Sequence, residues 1–273
     1  MKSSRAITIG AILYAVLCSP PAARAQYGAT PFQDPATGES YHAEAAIGFW
    51  HPTPNLSVAS EQFGQVGTLI SASDDLGITG KNLTELRFVL RPAKKHKFLI
   101  NYLPMSYTAQ STVHREFTFN GIKYGLNLPV STEMKWKTWT LGYEYDVFYR
   151  DRGFVGLVLE AKATDVEVDL TAPIGSDFVV AKAPIPNIGG IGRIYVVPNI
   201  SITGKMVGMK IPDSISPDYR AHYIDFDLYG TVNFNDYVGA QVGYRSLDVG
   251  YTIKKDMGTF VMRGLYFGGV VRY

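Results

Sequence analysis

Residues 224–234 read Ile-Asp-Phe-Asp-Leu-Tyr-Gly-Thr-Val-Asn-Phe, so apolar and polar side chains alternate along this stretch. Successive side chains of a β-strand point to opposite sides, and a period of two therefore predicts a strand with one apolar and one polar face. The same alternation returns from residue 41 to the end of the chain. It predicts ten strands, at about 41–50, 83–91, 97–107, 133–149, 154–169, 188–197, 200–210, 222–234, 237–253 and 259–273.

The connections between these strands alternate in length. The long ones are 51–82, 108–132, 170–187 and 211–221, and only the last connection, 254–258, breaks the series. The short ones hold turn-forming residues, such as Pro198-Asn199 and Asn235-Asp236. Long loops at one end and tight turns at the other are typical of a transmembrane barrel. We therefore predict an all-β fold, a single antiparallel up-and-down transmembrane β-barrel of about ten strands, with eight or twelve as alternatives.

The first 25 residues have the features of a secretory signal peptide. A basic start with Lys2 and Arg5 precedes a short apolar run, and Ala23-Arg24-Ala25 is a cleavage signal before Gln26. An even number of strands places both chain ends at the turn side, which is the periplasm. We expect a signal peptide at 1–25, a periplasmic N-terminal segment at 26–40 and an outer-membrane barrel at 41–273.

Composition excludes several classes of function. The only cysteine, Cys18, leaves with the signal peptide, which excludes disulfides, cysteine-bound zinc and a thiol nucleophile. Lys+Arg total 26 and Asp+Glu total 24, so no basic excess attracts nucleic acid. No later run of 18 apolar residues predicts a membrane-spanning helix. We expect no cofactor.

The polar strand faces carry ionised groups, which a membrane barrel can hold in its lumen. Aromatic residues gather near strand ends, and we expect them to form two interfacial girdles. The aromatic residues are Tyr41, Phe49, Trp50, Tyr145, Phe148, Tyr149, Phe234, Tyr237, Phe267 and Tyr273. The charged residues expected to face the lumen are Glu44, Glu85, Arg87, Glu144, Asp146, Glu160, Lys162, Lys205, Asp225, Asp227 and Arg245.

The chain ends on an aromatic residue, Tyr273, with Leu265, Phe267 and Val271 on the same strand face. This tail resembles the C-terminal assembly signal of outer-membrane barrel proteins. Segments 117–121, 198–199 and 243–248 are similar to small Gram-negative outer-membrane barrels of the outer membrane protein A/W-like class. The resemblance spans about 41–273 and implies a fold and an outer-membrane location. It implies two partners, outer-membrane lipid and the barrel assembly machinery, and it implies no catalytic residue.

Three functions stay open on the sequence alone. A barrel of about eight strands is filled by its own side chains, so a ten-strand lumen of mixed charge favours a plugged interior with a structural or surface-interaction role. The first alternative is a narrow passive pore for ions or small polar solutes. The second is an outer-leaflet lipid-modifying enzyme using a rim histidine, either His222 with Ser214 or Ser216, or His114 with Ser111. We predict that the protein is not an enzyme. Surface binding is plausible for the long loops, and the sequence identifies no ligand for them.

Metal binding is the weaker interpretation of the acidic pairs. Asp225 and Asp227 point the same way and could hold calcium, and Asp74-Asp75 in the first long connection is the other candidate. We expect Asp225 and Asp227 to pair with Arg87, Arg245 or Lys205 across the lumen instead. We therefore predict no metal site.

Overall fold

A computed structural model describes residues 36–59, 70–71, 73–119, 122–173, 175–211, 219–253 and 256–273. The predicted signal peptide and most of the N-terminal segment lie outside these ranges. Among the described residues, no helix is long and apolar enough to cross a membrane. The strands are β1 (Ala43–Ala59), β2 (Ile70–Ser71), β3 (Leu83–Ala93), β4 (His96–Thr112), β5 (Phe117–Phe119), β6 (Ile122–Tyr124), β7 (Pro129–Arg150), β8 (Gly153–Ala172), β9 (Gly175–Val197), β10 (Ile200–Ile211), β11 (Tyr219–Asn233), β12 (Val238–Ile253) and β13 (Asp256–Arg272).

Ten of these strands close into one antiparallel barrel. Each long strand pairs with the next one along the chain, in the order β1, β3, β4 and then β7 to β13. Strand β13 pairs with β1 from Glu44↔Arg272 to Ala59↔Met257, which closes the barrel. No sheet edge is left bare in lipid, where an unpaired backbone group costs several kcal/mol. The predicted ten-strand up-and-down barrel is confirmed.

The strands at the loop end are longer than predicted. The third long connection, 170–187, is wrong, because β8 runs to Ala172 and β9 begins at Gly175. The first connection begins as strand, and the second both begins and ends as strand. Two small additions lie within them, β2 against β1 and the hairpin β5–β6. In these stretches the outward residues are polar, and the sequence pattern therefore predicted loops. The period of two nevertheless continues.

The polarity of the barrel wall inverts along its axis. Near the turns β7 points Trp139 and Leu141 outward, at 52% and 61% exposure, and Glu144 inward at 2%. Near the loops the same strand points Lys135 outward and buries Trp136. An apolar outer wall with a charged interior suits lipid, whereas a polar outer wall with an apolar core suits water. We call the apolar outer zone the lipid belt and the region beyond it the loop-side extension.

The height of the lipid belt matches a bilayer. On β8 its outward residues run from Val155 to Ala163, and a tilted strand needs about 9–11 residues to span the hydrocarbon core. Strand β8 has 20 residues and β7 has 22, so roughly half of each lies beyond the lipid. At about 3.3 Å per residue and a tilt of about 40°, the loop-side extension rises about 25 Å above the membrane.

The aromatic girdles are only partly as predicted. Phe148, Phe234 and Tyr237 point outward at the turn end, with exposures of 71%, 69% and 64%. Tyr41 and Trp50 are buried instead, at 7% and 2%. Tyr41 lies under the guanidinium groups of two arginines, and Trp50 belongs to the apolar core of the loop-side extension. The partly buried Tyr149 packs toward the interior because a bulge after Asp146 shifts the register of β7.

Candidate functional site

The middle of the lumen is crossed by a network of ion pairs centred on Asp225 of β11. Arg245 on β12 donates two hydrogen bonds to this carboxylate, from Nε to Oδ1 at 3.0 Å and from Nη2 to Oδ2 at 2.8 Å. Lys162 on β8 donates to Oδ2 from across the barrel at 2.9 Å. Such a two-pronged arginine contact is among the strongest charge-assisted geometries. Asp225 therefore links the adjacent β12 with β8, which lies three strands away around the barrel.

Both cations bound to Asp225 have a second carboxylate. Arg245 Nη1 lies 2.9 Å from Glu85 Oε1 on β3, and Lys162 Nζ lies 3.2 Å from Glu160 Oε2 on its own strand. Glu160 also accepts a bond from Lys205 on β10. Arg87 and Asp227 form a looser pair nearby, with 3.8 Å between Nη1 and Oδ2.

Two further networks lie nearer the turns. Lys97 on β4 contacts Glu144 at 2.6 Å and Asp146 at 3.0 Å, and all three side chains are almost fully buried. Arg272 on the closing strand donates to Glu44 of β1 at 2.6 Å. Because β1 and β13 are the first and last strands, this pair lies across the seam that closes the barrel.

The segment before β1 enters the barrel at its turn end. Glu39 is 3% exposed and its Oε2 accepts bonds from Arg193 Nη1 at 3.1 Å and Tyr195 Oη at 2.9 Å. Arg91 donates to the main-chain oxygen of Glu39. Thr37 N also donates to Pro198 O in the β9–β10 turn at 2.8 Å. The described part of the predicted periplasmic lead-in therefore covers the turn-side mouth of the lumen.

The charges of the described networks balance. The structure places the eleven charged residues predicted for it in these networks, together with five that the sequence interpretation missed, Glu39, Arg91, Lys97, Arg193 and Arg272. Eight of the sixteen are acidic and eight are basic. Four of the missed residues lie at a strand end or before the first strand, where alternation carries no signal. Ile191 and Tyr195 flank Arg193 on the same strand face, so the sequence pattern of that face is read as apolar.

The charged part of the lumen contains a cavity of about 50 Å³ lined by residues that include Glu85, Arg87 and Asn101. That is room for about three or four water molecules. The loop-side half is filled by a buried apolar cluster that includes Met134, Trp136 and, from the first long connection, Leu76 and Ile78.

The histidine and metal candidates have ordinary partners. His222 Nε2 lies 3.0 Å from Asp248 Oδ1, and Ser214 and Ser216 lie outside the described residues. Ser111 Oγ donates to Asp75 O at 3.2 Å, and the exposed His114 is not its described partner. In the described part of the chain, no group of three or more His, Cys, Asp or Glu side chains is arranged to hold a metal ion.

Asp75 lies in the loop-side extension and pairs with Arg115, with 2.7 Å between Oδ2 and Nη2. Burial raises the pKa of the Asp75 carboxyl, but hydrogen bonds from Arg115 and from Ser71 N outweigh that effect and leave the pKa below its usual value. Its neighbour Asp74 accepts bonds from Ser71 and Ser73. Both acids therefore stabilise the connection that supplies the apolar filling.

The predicted assembly signal lies on the lipid belt. Leu265, Phe267 and Val271 point outward with exposures of 67%, 63% and 55%, and the terminal Tyr273 is 86% exposed. Phe267 contacts Phe49 on the neighbouring β1 at 5.5 Å between ring centroids. Their recognition by an assembly machinery stays a prediction.

Matches to known proteins come from the comparison with solved structures. No protein-family model matches the chain, and no curated protein matches it in sequence. Among solved structures, the outer membrane protease OmpT from Escherichia coli superposes with a TM-score of 0.58 at 7% identity, over 88% of this chain and 99% of that one. The attachment invasion locus protein Ail of Yersinia pestis covers 85% and 99% at 8% identity and a TM-score of 0.39. An outer membrane channel from Pseudomonas putida F1 covers 90% and 100% at 12% identity and a TM-score of 0.39.

The likeness to OmpT is one of architecture. At 7% identity it shows a shared barrel fold and carries no activity to this chain. Fold alone does not decide between an enzyme, a pore and a structural barrel. Together with the lipid belt, the comparison identifies a small β-barrel of the outer-membrane type.

Proposed function

We propose that this protein is a non-conducting outer-membrane barrel whose lumen serves as a rigid, self-paired core and whose loop-side extension is the working surface. The observation that carries the proposal is the filling of the lumen at three levels. The Glu39 segment occupies the turn-side mouth, ion-pair networks extend from there to the middle, and an apolar cluster fills the loop-side half.

Ion passage through this lumen is opposed by two separate costs. A permeating ion would have to enter an apolar core, where an unpaired charge is strongly disfavoured. It would also have to separate desolvated ion pairs such as Asp225 with Arg245 and Lys162, and disrupting a buried pair costs about 3–5 kcal/mol. The cavity described in the charged part of the lumen, about 50 Å³, has room for a few water molecules.

The loop-side extension supports a surface role. Strands of 20 to 23 residues hold it well above the bilayer, and a bilayer alone requires about half that length. Its interior is a packed apolar core, so its outer wall is a rigid, water-facing β-surface. Rigid elements present contact residues more precisely than mobile loops do. We infer a structural or surface-interaction role for this part of the protein.

Planar-bilayer recording of the refolded chain, residues 26–273, tests the proposal. Heat-modifiable gel mobility first establishes that the barrel is folded, and a general porin in the same bilayer is the positive control. We expect no single-channel steps. Discrete and reproducible steps from the folded protein would refute the plugged lumen and establish the passive-pore alternative.

A further inference from the structure

The exposed charges just above the lipid belt are arranged differently in two sectors of the wall. On β7 and β8 the outward cations face acids in register, with Lys137 opposite Asp165 and Lys135 opposite Glu167. Opposite charges on directly paired residues stabilise neighbouring strands. Lys135 also contacts Glu133 at 2.9 Å. This sector, which we call the paired sector, therefore has its counter-charges within the protein.

The sector formed by β10 to β13 lacks such pairing. Lys210 stands opposite His222, Arg220 stands opposite Thr252, and Arg263 stands between Ser246 and Thr53. All three cations are exposed, and no carboxylate of a described residue forms an ion pair with any of them. We call this group the unpaired sector.

One carboxylate of the unpaired sector is already engaged. Asp248 holds His222 Nε2 at 3.0 Å, and the imidazole lies flat against β12 at Gly250. A Cβ atom at Gly250 would lie 2.2 Å from His222 Cε1, so only glycine accommodates the ring in this position. The histidine thereby occupies Asp248, and among the described residues it is this histidine, not a carboxylate, that stands opposite Lys210.

The height of the unpaired sector points to its counter-ion. His222 is the first outward position after the belt residue Ile224, and Arg263 is the first after Leu265. Cations at the end of an apolar belt lie at the level of lipid headgroups, where each contributes about 1 kcal/mol of attraction to anionic lipid. An anionic lipid fits both features, because its headgroup can contact the exposed cations while its acyl chains lie along the apolar belt.

We propose that Lys210 and Arg220 bind the phosphate groups of a phosphorylated outer-leaflet lipid. The lipid's acyl chains pack on the adjacent belt residues Met206 and Ile224, which are 56% and 40% exposed. This inference rests on the proposed membrane orientation, with the long connections outward, and it is independent of whether the lumen conducts.

Binding of bis-phosphorylated lipid A to the refolded protein in detergent micelles, counted by native mass spectrometry, tests the proposal. The double variant Lys210→Ala/Arg220→Ala removes two cations of the unpaired sector, and Lys135→Ala/Lys137→Ala removes two from the paired sector as the matched control. We expect the first variant to lose tenfold or more in affinity, about 1.4 kcal/mol per factor of ten, and the control to change less than twofold. The charge-conserving variant Lys210→Arg/Arg220→Lys should bind like the parent.

Three further results test whether a lipid-borne phosphate is the group that binds. Dephosphorylated lipid A should bind the parent protein about as weakly as bis-phosphorylated lipid A binds the unpaired-sector variant. Inorganic phosphate at equal concentration should not displace the lipid, because it has no contact with the belt. Equal loss in both double variants, or tight binding of a soluble sulfated polysaccharide with no binding of lipid A, would overturn the proposal. Heat-modifiable mobility of each variant shows that the barrel is folded.

Discussion

Replacement of Leu159 by arginine tests whether the apolar outer wall lies in lipid. Leu159 is 52% exposed and is the middle one of five outward positions of β8 within the belt. These positions are Val155, Leu157, Leu159, Ala161 and Ala163.

The size of the effect follows from the depth of Leu159. Leu159 is four positions away from the residue at either end of the belt. At about 3.3 Å per residue and a tilt of about 40°, this is about 10 Å of bilayer. A guanidinium at that depth cannot reach either interface without thinning the membrane locally. Arginine at the midplane of a barrel costs roughly 2–4 kcal/mol. We expect about 3–4 kcal/mol, because the leucine's own contact with lipid is lost as well.

Urea unfolding from lipid vesicles, followed by tryptophan fluorescence, measures the change in the free energy of unfolding. Thr171→Arg is the matched control, since this exposed position lies twelve residues further along the same face of β8, beyond the belt. Its cost should stay within about 0.5 kcal/mol. Equal costs for the two variants would refute the assignment of the belt to lipid. A larger cost at Thr171 would place the loop-side extension, and not the belt, in lipid.

Two other predictions concern the ion pairs. Asp225→Asn should lower the free energy of unfolding in vesicles by about 3 kcal/mol, because two buried cations lose a shared carboxylate, whereas Asp165→Asn on the outer wall should cost less than about 1 kcal/mol. Similar costs for the two would mean that the lumen is hydrated. The Asp75 carboxyl has a lowered folded pKa, so its pairing with Arg115 stabilises the connection above the ordinary pKa of about 3.9 and is lost as the pH falls through the folded value. Hydrogen exchange of the amide of Ser71, corrected for intrinsic rate, should therefore be constant from about pH 7 to 5 and rise below about pH 4. Asp75→Asn should abolish this dependence, and an unchanged profile in that variant would assign the effect to another group.

Alternation was sufficient to predict the barrel, because lipid on one side and a filled lumen on the other impose opposite polarities on successive residues. Strand β11 shows this directly, with Ile224 and Leu228 outward and Asp225 and Tyr229 inward. The short turns were also readable, since turn chemistry is local. The β9–β10 turn at Pro198-Asn199 lies where the sequence placed it.

Alternation failed where the environment changes along one strand. On β4 the outward residues pass from Phe98 and Ile100 to Ser106 and Thr108, while the inward ones pass from Lys97 to Met105. A pattern search that expects one apolar face ends the strand at this inversion. The predicted loops 108–132 and 170–187 were too long for this reason, and the loop-side extension was not predicted as a continuous wall.

The amino-acid sequence by itself determined the period of two and the turn positions, and hence the antiparallel barrel. It also determined the absence of cysteine after residue 18. Tertiary structure alone decided which charges meet. Asp225 and Lys162 are separated by 63 residues, and Glu39 and Arg193 by 154. Their pairing depends on the curvature and closure of the sheet, which bring distant strands across a narrow lumen. Local patterns carry no information about these contacts, because the two partners lie far apart in the sequence and the strength of each pair depends on the exclusion of water.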